Sequence, residues 1–125
     1  MAVFSVVIFG AELDRLYEAV AFAAAARARG ENVILFFRGP ALKAFIEKQW
    51  PPPTAVSVDS LHFQNRSPSD YLDDLRQAGG VRVYACSAWA RLLKLTARSL
   101  AQRTDAVVGL NAFLSQAQGG PVLTF

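Results

Sequence analysis

At 125 residues with a single cysteine, the chain can bury roughly two-thirds of its extended surface in one core, and it cannot form an intrachain disulfide. Hydrophobic residues make up 53% of it, yet no segment offers the ~18 uninterrupted apolar residues of a membrane span, so no membrane role is expected. The net charge of +3 comes from thirteen Lys and Arg that never run three together, which leaves no basic stripe for nucleic acid.

Val3-Phe4-Ser5-Val6-Val7-Ile8-Phe9 is a nearly continuous apolar run, as a strand buried on both faces of a parallel sheet requires. It lacks the basic start of a signal peptide and runs into Glu12, Asp14 and Arg15, so it reads as a first strand of a cytoplasmic protein. Gly10 ends it. Leu13, Leu16, Tyr17, Val20, Ala21 and Ala24 then fall on one face of a helix that reaches Arg29 and stops at Gly30. Val33-Ile34-Leu35-Phe36-Phe37 predicts a second strand, which completes a strand–helix–strand unit.

Arg38 and Gly39 follow that strand, and Gly39-Pro40 opens a short helix with Leu42, Phe45 and Ile46 on its apolar face. The helix cannot pass Pro51-Pro52-Pro53. From Gln49 to Arg66 no period is strong. Val56 and Val58 suggest a brief edge strand, and so long a connection reads as a lid, an oligomer contact or a mobile loop. His62 has no Cys or second His near it in sequence, so a surface role outweighs that of a base. Trp50 reads as packing or a subunit contact. Ser67-Pro68-Ser69-Asp70 combines an N-cap serine, a proline at the first helical position and an acid three residues after the cap. The helix it starts carries Tyr71, Leu72, Leu75 and Ala78 inward, and its Asp73-Asp74 pair reads as surface charge rather than a metal site.

Val81, Val83 and Tyr84 then favour strand, and Ala88, Trp89, Leu92 and Leu93 recur at helical spacing, with Ser87 as the expected N-cap. Cys86 therefore falls where a strand hands over to a helix. Unpaired amides and the helix dipole stabilise a thiolate at such a place, and they lower cysteine pKa values from about 8.5 to roughly 3.5–7.5. The competing reading of a lone cysteine is a small buried hydrophobe. Thr96 to Asp105 is polar and reads as a loop with at most a helical turn. Ala106-Val107-Val108 is a short strand, Leu110, Phe113, Leu114 and Ala117 stripe a final helix, and Pro121 to Phe125 forms a last strand.

Such alternation implies one domain over residues 1–125: an α/β fold, a three-layer α/β/α sandwich on a mainly parallel sheet of about five strands. Ligands of such sheets gather outside the carboxyl ends of the strands, which nominates Gly10, Arg38, Gly39 and Ser87 as a substrate cleft around Cys86. A dinucleotide cradle is missing, since Gly10 is followed by Ala11-Glu12-Leu13-Asp14 without a second glycine, and there is no P-loop, C-x-x-C or G-x-S-x-G. No cofactor or metal is expected. A Cys86–His62 dyad requires His62 to fold over the thiol.

Four stretches in this order resemble the DsrE/DsrF-like family of small sulfur-relay-type proteins: the opening strand with Gly10 and Leu13-Asp14-Arg15, Ala28 to Phe37, Val83-Tyr84-Ala85-Cys86-Ser87, and Val108 to Leu114. The resemblance implies an α/β/α subunit, trimers or hexamers, and a cysteine that carries sulfur as a persulfide between donor and acceptor proteins. Cys86 matches that cysteine. Exposed-looking Trp50 and Phe63 agree with self-association. The expected function is thus a thiol-based, sulfurtransferase-like sulfur carrier. The alternative is a non-catalytic oligomeric scaffold that holds a small ligand or partner at the strand ends.

Overall fold

The computed structural model describes residues 3–53, 55–62 and 66–125. Five strands, β1 (Val3–Ile8), β2 (Asn32–Phe37), β3 (Val81–Cys86), β4 (Ala106–Val108) and β5 (Val122–Thr124), form one sheet in the order β4-β3-β2-β1-β5. Every pairing is parallel. The helices are α1 (Leu13–Ala28), α2 (Gly39–Glu47), α3 (Pro68–Ala78), α4 (Ser87–Leu92), α5 (Ala97–Arg103) and α6 (Leu110–Ala117).

Handedness turns this order into layers. From β1 to β4 each strand is laid beside the last in the same direction, and right-handed crossovers therefore stack α1 to α5 on one face. The step from β4 to β5 returns across the sheet, so α6 lies on the other. Side-chain packing agrees. Val6, Ile8, Leu35, Phe37, Val83 and Ala85 share one core with α1 to α5, whereas Val7, Ile34, Phe36, Tyr84 and Cys86 form a second, smaller core with Phe113 of α6. Phe36 and Phe113 stack with ring centroids 4.3 Å apart.

Helix α1 is rotated from its expected face. It buries Ala19, Ala23 and Ala26 with Leu13, Leu16 and Val20, and leaves Tyr17, Ala21 and Ala24 exposed. Small side chains let the helix settle close on the sheet, and Ala21 and Ala24 line a hollow of 590 Å³ between α1 and α3. Helix α3 opens as read: Ser67 Oγ accepts from the Asp70 amide at 3.2 Å, and the Asp70 carboxylate accepts from the Ser67 amide at 2.9 Å. That backbone donor holds the Asp70 carboxyl below its usual range.

Two stretches differ from expectation. Val56 and Val58 form no strand; both are exposed, and Val58–Leu61 is a 3-10 turn whose Leu61 reaches the core. Residues Ala97–Arg103 are a helix rather than a loop, capped by Thr96 accepting from the Ser99 amide. This helix is held by tertiary contacts. The Arg103 guanidinium lies 4.3 Å from the Phe45 ring centroid and donates to the Phe45 carbonyl, and burial pushes its pKa down. The Asp105 carboxylate accepts from the Val83 amide at 2.7 Å and from Arg76 at 3.3 Å, which ties α3 to β3 and β4. No helix among the described residues is long and apolar enough to cross a membrane.

Candidate functional site at the carboxyl ends of the strands

The chain leaves β3 toward the α1–α5 face and leaves β4 toward the α6 face, so the crevice between their carboxyl ends is a topological switch point, where α/β sheets bind their ligands. Cys86 is the last residue of β3 and pairs with Val108, the last of β4. It is itself the N-cap of α4, with extended backbone angles, and Ser87 is the first helical residue rather than the cap. Helix α4 has only six residues. The strand-to-helix position of the thiol is therefore as read, shifted by one residue.

Alternation along β3 decides where the thiol points. Val81, Val83 and Ala85 face the larger core; Tyr84 and Cys86 face α6. Cys86 is 1% exposed, packed with Tyr84, Phe36 and Phe113 and bordered by Trp89 and Val108. Reaching its sulfur requires one of these covering groups to move.

The structure brings some nominated cleft residues together and not others. Phe37 pairs with Ala85, so Arg38 and Cys86, each one residue further along, stand side by side at the ends of β2 and β3. The Arg38 guanidinium carbon lies 5.9 Å from the centroid of Phe36, within the cluster that holds Cys86. Ser87 Oγ borders Gly109, the N-cap of α6. Gly39 has φ +55 and carries the Phe9 ring against its α-carbon, while Phe9 meets Trp89 edge-on at 5.6 Å. Gly10 is apart: its amide donates to the Phe125 carbonyl at 3.2 Å and the Arg15 side chain lies over it.

His62 does not join the thiol. It follows Leu61, which packs in the core on the α1 side of the sheet, whereas Cys86 faces α6. Trp50 is half-buried against the core, 6.4 Å from Phe37, and Pro51 accepts from the Leu13 amide. Phe63 lies outside the described residues. Asp74 is engaged by Arg66 at 2.7 Å. Sequence reasoning passed over Phe9, Trp89 and Phe113 as site-forming residues. Trp89, three residues after Cys86 at the end of β3, stood near enough in sequence to signal its place beside the thiol.

The fold and site together define an α/β protein with a buried thiol at the switch point of a five-stranded parallel sheet. The DsrE/DsrF-like family model matches residues 1–125, and the chain belongs to that family. No curated protein matches it.

Proposed function

We propose that the protein is a thiol-based sulfur carrier in which Cys86 accepts a sulfur atom as a persulfide and passes it to a partner protein or small thiol. The observation that carries this reading is the position of Cys86 at the switch point, in a chain whose family suggests a sulfur-relay-type role. The chain has no second cysteine, so the loaded sulfur cannot be resolved within it and must leave to an external thiol. A lone thiol of this kind suits a reducing, cytoplasmic setting. The whole chain, 1–125, acts as one domain without cofactor.

The loading step is an exchange. The Cys86 thiolate attacks the outer sulfur of a donor persulfide, the donor S–S bond breaks, the donor sulfur leaves with the electron pair, and a new S–S bond forms on Cys86. Incubation with a persulfide donor is expected to add one sulfur to the intact mass of the wild type and nothing to Cys86→Ser. A wild type that gains no sulfur under conditions that load a thiol peptide overturns the carrier reading.

Burial of the thiol favours a second reading, the non-catalytic scaffold, in which Cys86 is a core residue. Self-association, as a trimer or hexamer, belongs to both. It is supported by the α6 face, where α6 covers the sheet and presents Leu110 (48% exposed) and Leu114 (56%) to solvent. Light scattering is expected to return an oligomer for the wild type and a smaller species for Leu110→Lys/Leu114→Lys; a wild-type monomer at micromolar concentration refutes it.

A further inference from the structure

We infer that Arg38 is the anion-recognition residue of this site, and that the sulfur donor it selects is an anionic sulfane compound such as a polysulfide; this rests on the carrier reading of Cys86. Two independent observations meet here. The first is placement: Arg38 follows the last residue of β2 and caps α2 beside Cys86 at the end of β3, and its guanidinium carbon lies 5.9 Å from the centroid of the Phe36 ring, which packs in the cluster with the thiol. The second is an unmet bond. Arg38 Nε is buried without a hydrogen-bond partner among the described residues, and none of the described ion pairs includes this side chain.

A guanidinium stays charged at any working pH, and burying one of its donors unpaired is unfavourable unless something completes the set. Asp and Glu elsewhere in the chain do so for Arg15, Arg29, Arg66 and Arg76. Nothing among the described residues does so for Arg38. An anion in the crevice would supply the missing acceptor for a guanidinium that lies over the Phe36 ring.

The chemistry uses the charge twice. In loading, the Cys86 thiolate attacks the terminal SH sulfur of a polysulfide monoanion; the adjoining S–S bond breaks and the shortened chain leaves with its electron pair as a dianion. Two negative species must meet, and a fixed cation between them lowers their repulsion. The product Cys86–S–SH then gives its proton to water, and the same guanidinium balances the persulfide anion. No oxidant or reductant is consumed.

The test separates recognition of charge from transfer of sulfur. Cys86 is alkylated in the native protein with iodoacetate, an anion, and with iodoacetamide, its neutral counterpart, and the ratio of the two rates is read by intact mass. Arg38→Gln is expected to lower the iodoacetate-to-iodoacetamide ratio about fourfold, as for charges ~5 Å apart in a water-like dielectric, while Arg38→Lys keeps most of it. A purely structural role changes both rates together, and thermal melts report whether each variant is folded. Polysulfide loading of the same proteins is expected to slow in Arg38→Gln and to be absent in Cys86→Ser. An unchanged ratio in folded Arg38→Gln overturns the inference even if the wild type loads sulfur. A changed ratio with no loading of the wild type sinks the carrier reading and leaves Arg38 as an anion-binding residue. If neither reagent reaches Cys86 in the native wild type, no anion reaches it either and the inference fails.

Discussion

Phe113→Ala is expected to lower the stability of the fold by about 3–5 kcal/mol and to open Cys86 to reagents in the native state. Phe113 is 1% exposed and is the side chain through which α6 covers the sheet: it stacks on Phe36 and packs in the same cluster as Tyr84 and Cys86. Removing the ring deletes the stacked pair and leaves a hole above the thiol. The other face has α1, α2, α3 and α5 to close such a gap, but this one has a single helix of eight residues. Urea unfolding measures the first effect, and the rate of iodoacetamide modification below the unfolding transition measures the second. Retained stability with an unreactive thiol would mean that Trp89 and Val108, rather than Phe113, form the cover.

Gly39→Ala is expected to cost about 2–6 kcal/mol and to alter the fluorescence of Trp89. The backbone at Gly39 is left-handed, with φ +55, and a non-glycine residue held there costs about 1–3 kcal/mol. A Cβ would also collide with the Phe9 ring, which lies directly against this glycine, and such overpacking adds about 1–3 kcal/mol. Phe9 in turn meets Trp89 edge-on at 5.6 Å. Displacing Phe9 therefore moves the indole that borders Cys86. Trp50 also emits, so the comparison is made on the Trp50→Phe background, and an unshifted spectrum with wild-type urea stability would contradict the close packing of Gly39 on Phe9.

The elements that local chemistry controls were legible in the chain. Val3 to Ile8, but for Ser5, and Val33 to Phe37 are apolar on both faces because they are central strands with helices or a neighbouring core on each side, and that need is written as a nearly continuous hydrophobic run. Ser67 and Asp70 announce the start of α3 because the capping box is made by residues three apart. Cys86 at the strand-to-helix junction follows from composition on either side of it. The helix Ala97–Arg103 was not legible, since its sequence is polar and its hold on the fold runs through the Phe45 carbonyl and ring, far away in the chain.

What surrounds Cys86 belongs to the second kind. Its side chain faces α6 because β3 is paired to β2 and β4 in one register, and a shift of one residue would turn it to the α1 side. Its cover is thin because the last crossover returns across the sheet and leaves one helix on that face. Arg38 stands beside it because β2 and β3 are neighbours, and His62 does not because the turn before it packs against α1. A sequence specifies period, caps and breaks through neighbours a few residues apart. Which strands adjoin, and hence which charges and rings meet the thiol, is decided by crossover handedness and long-range packing, which no local pattern records.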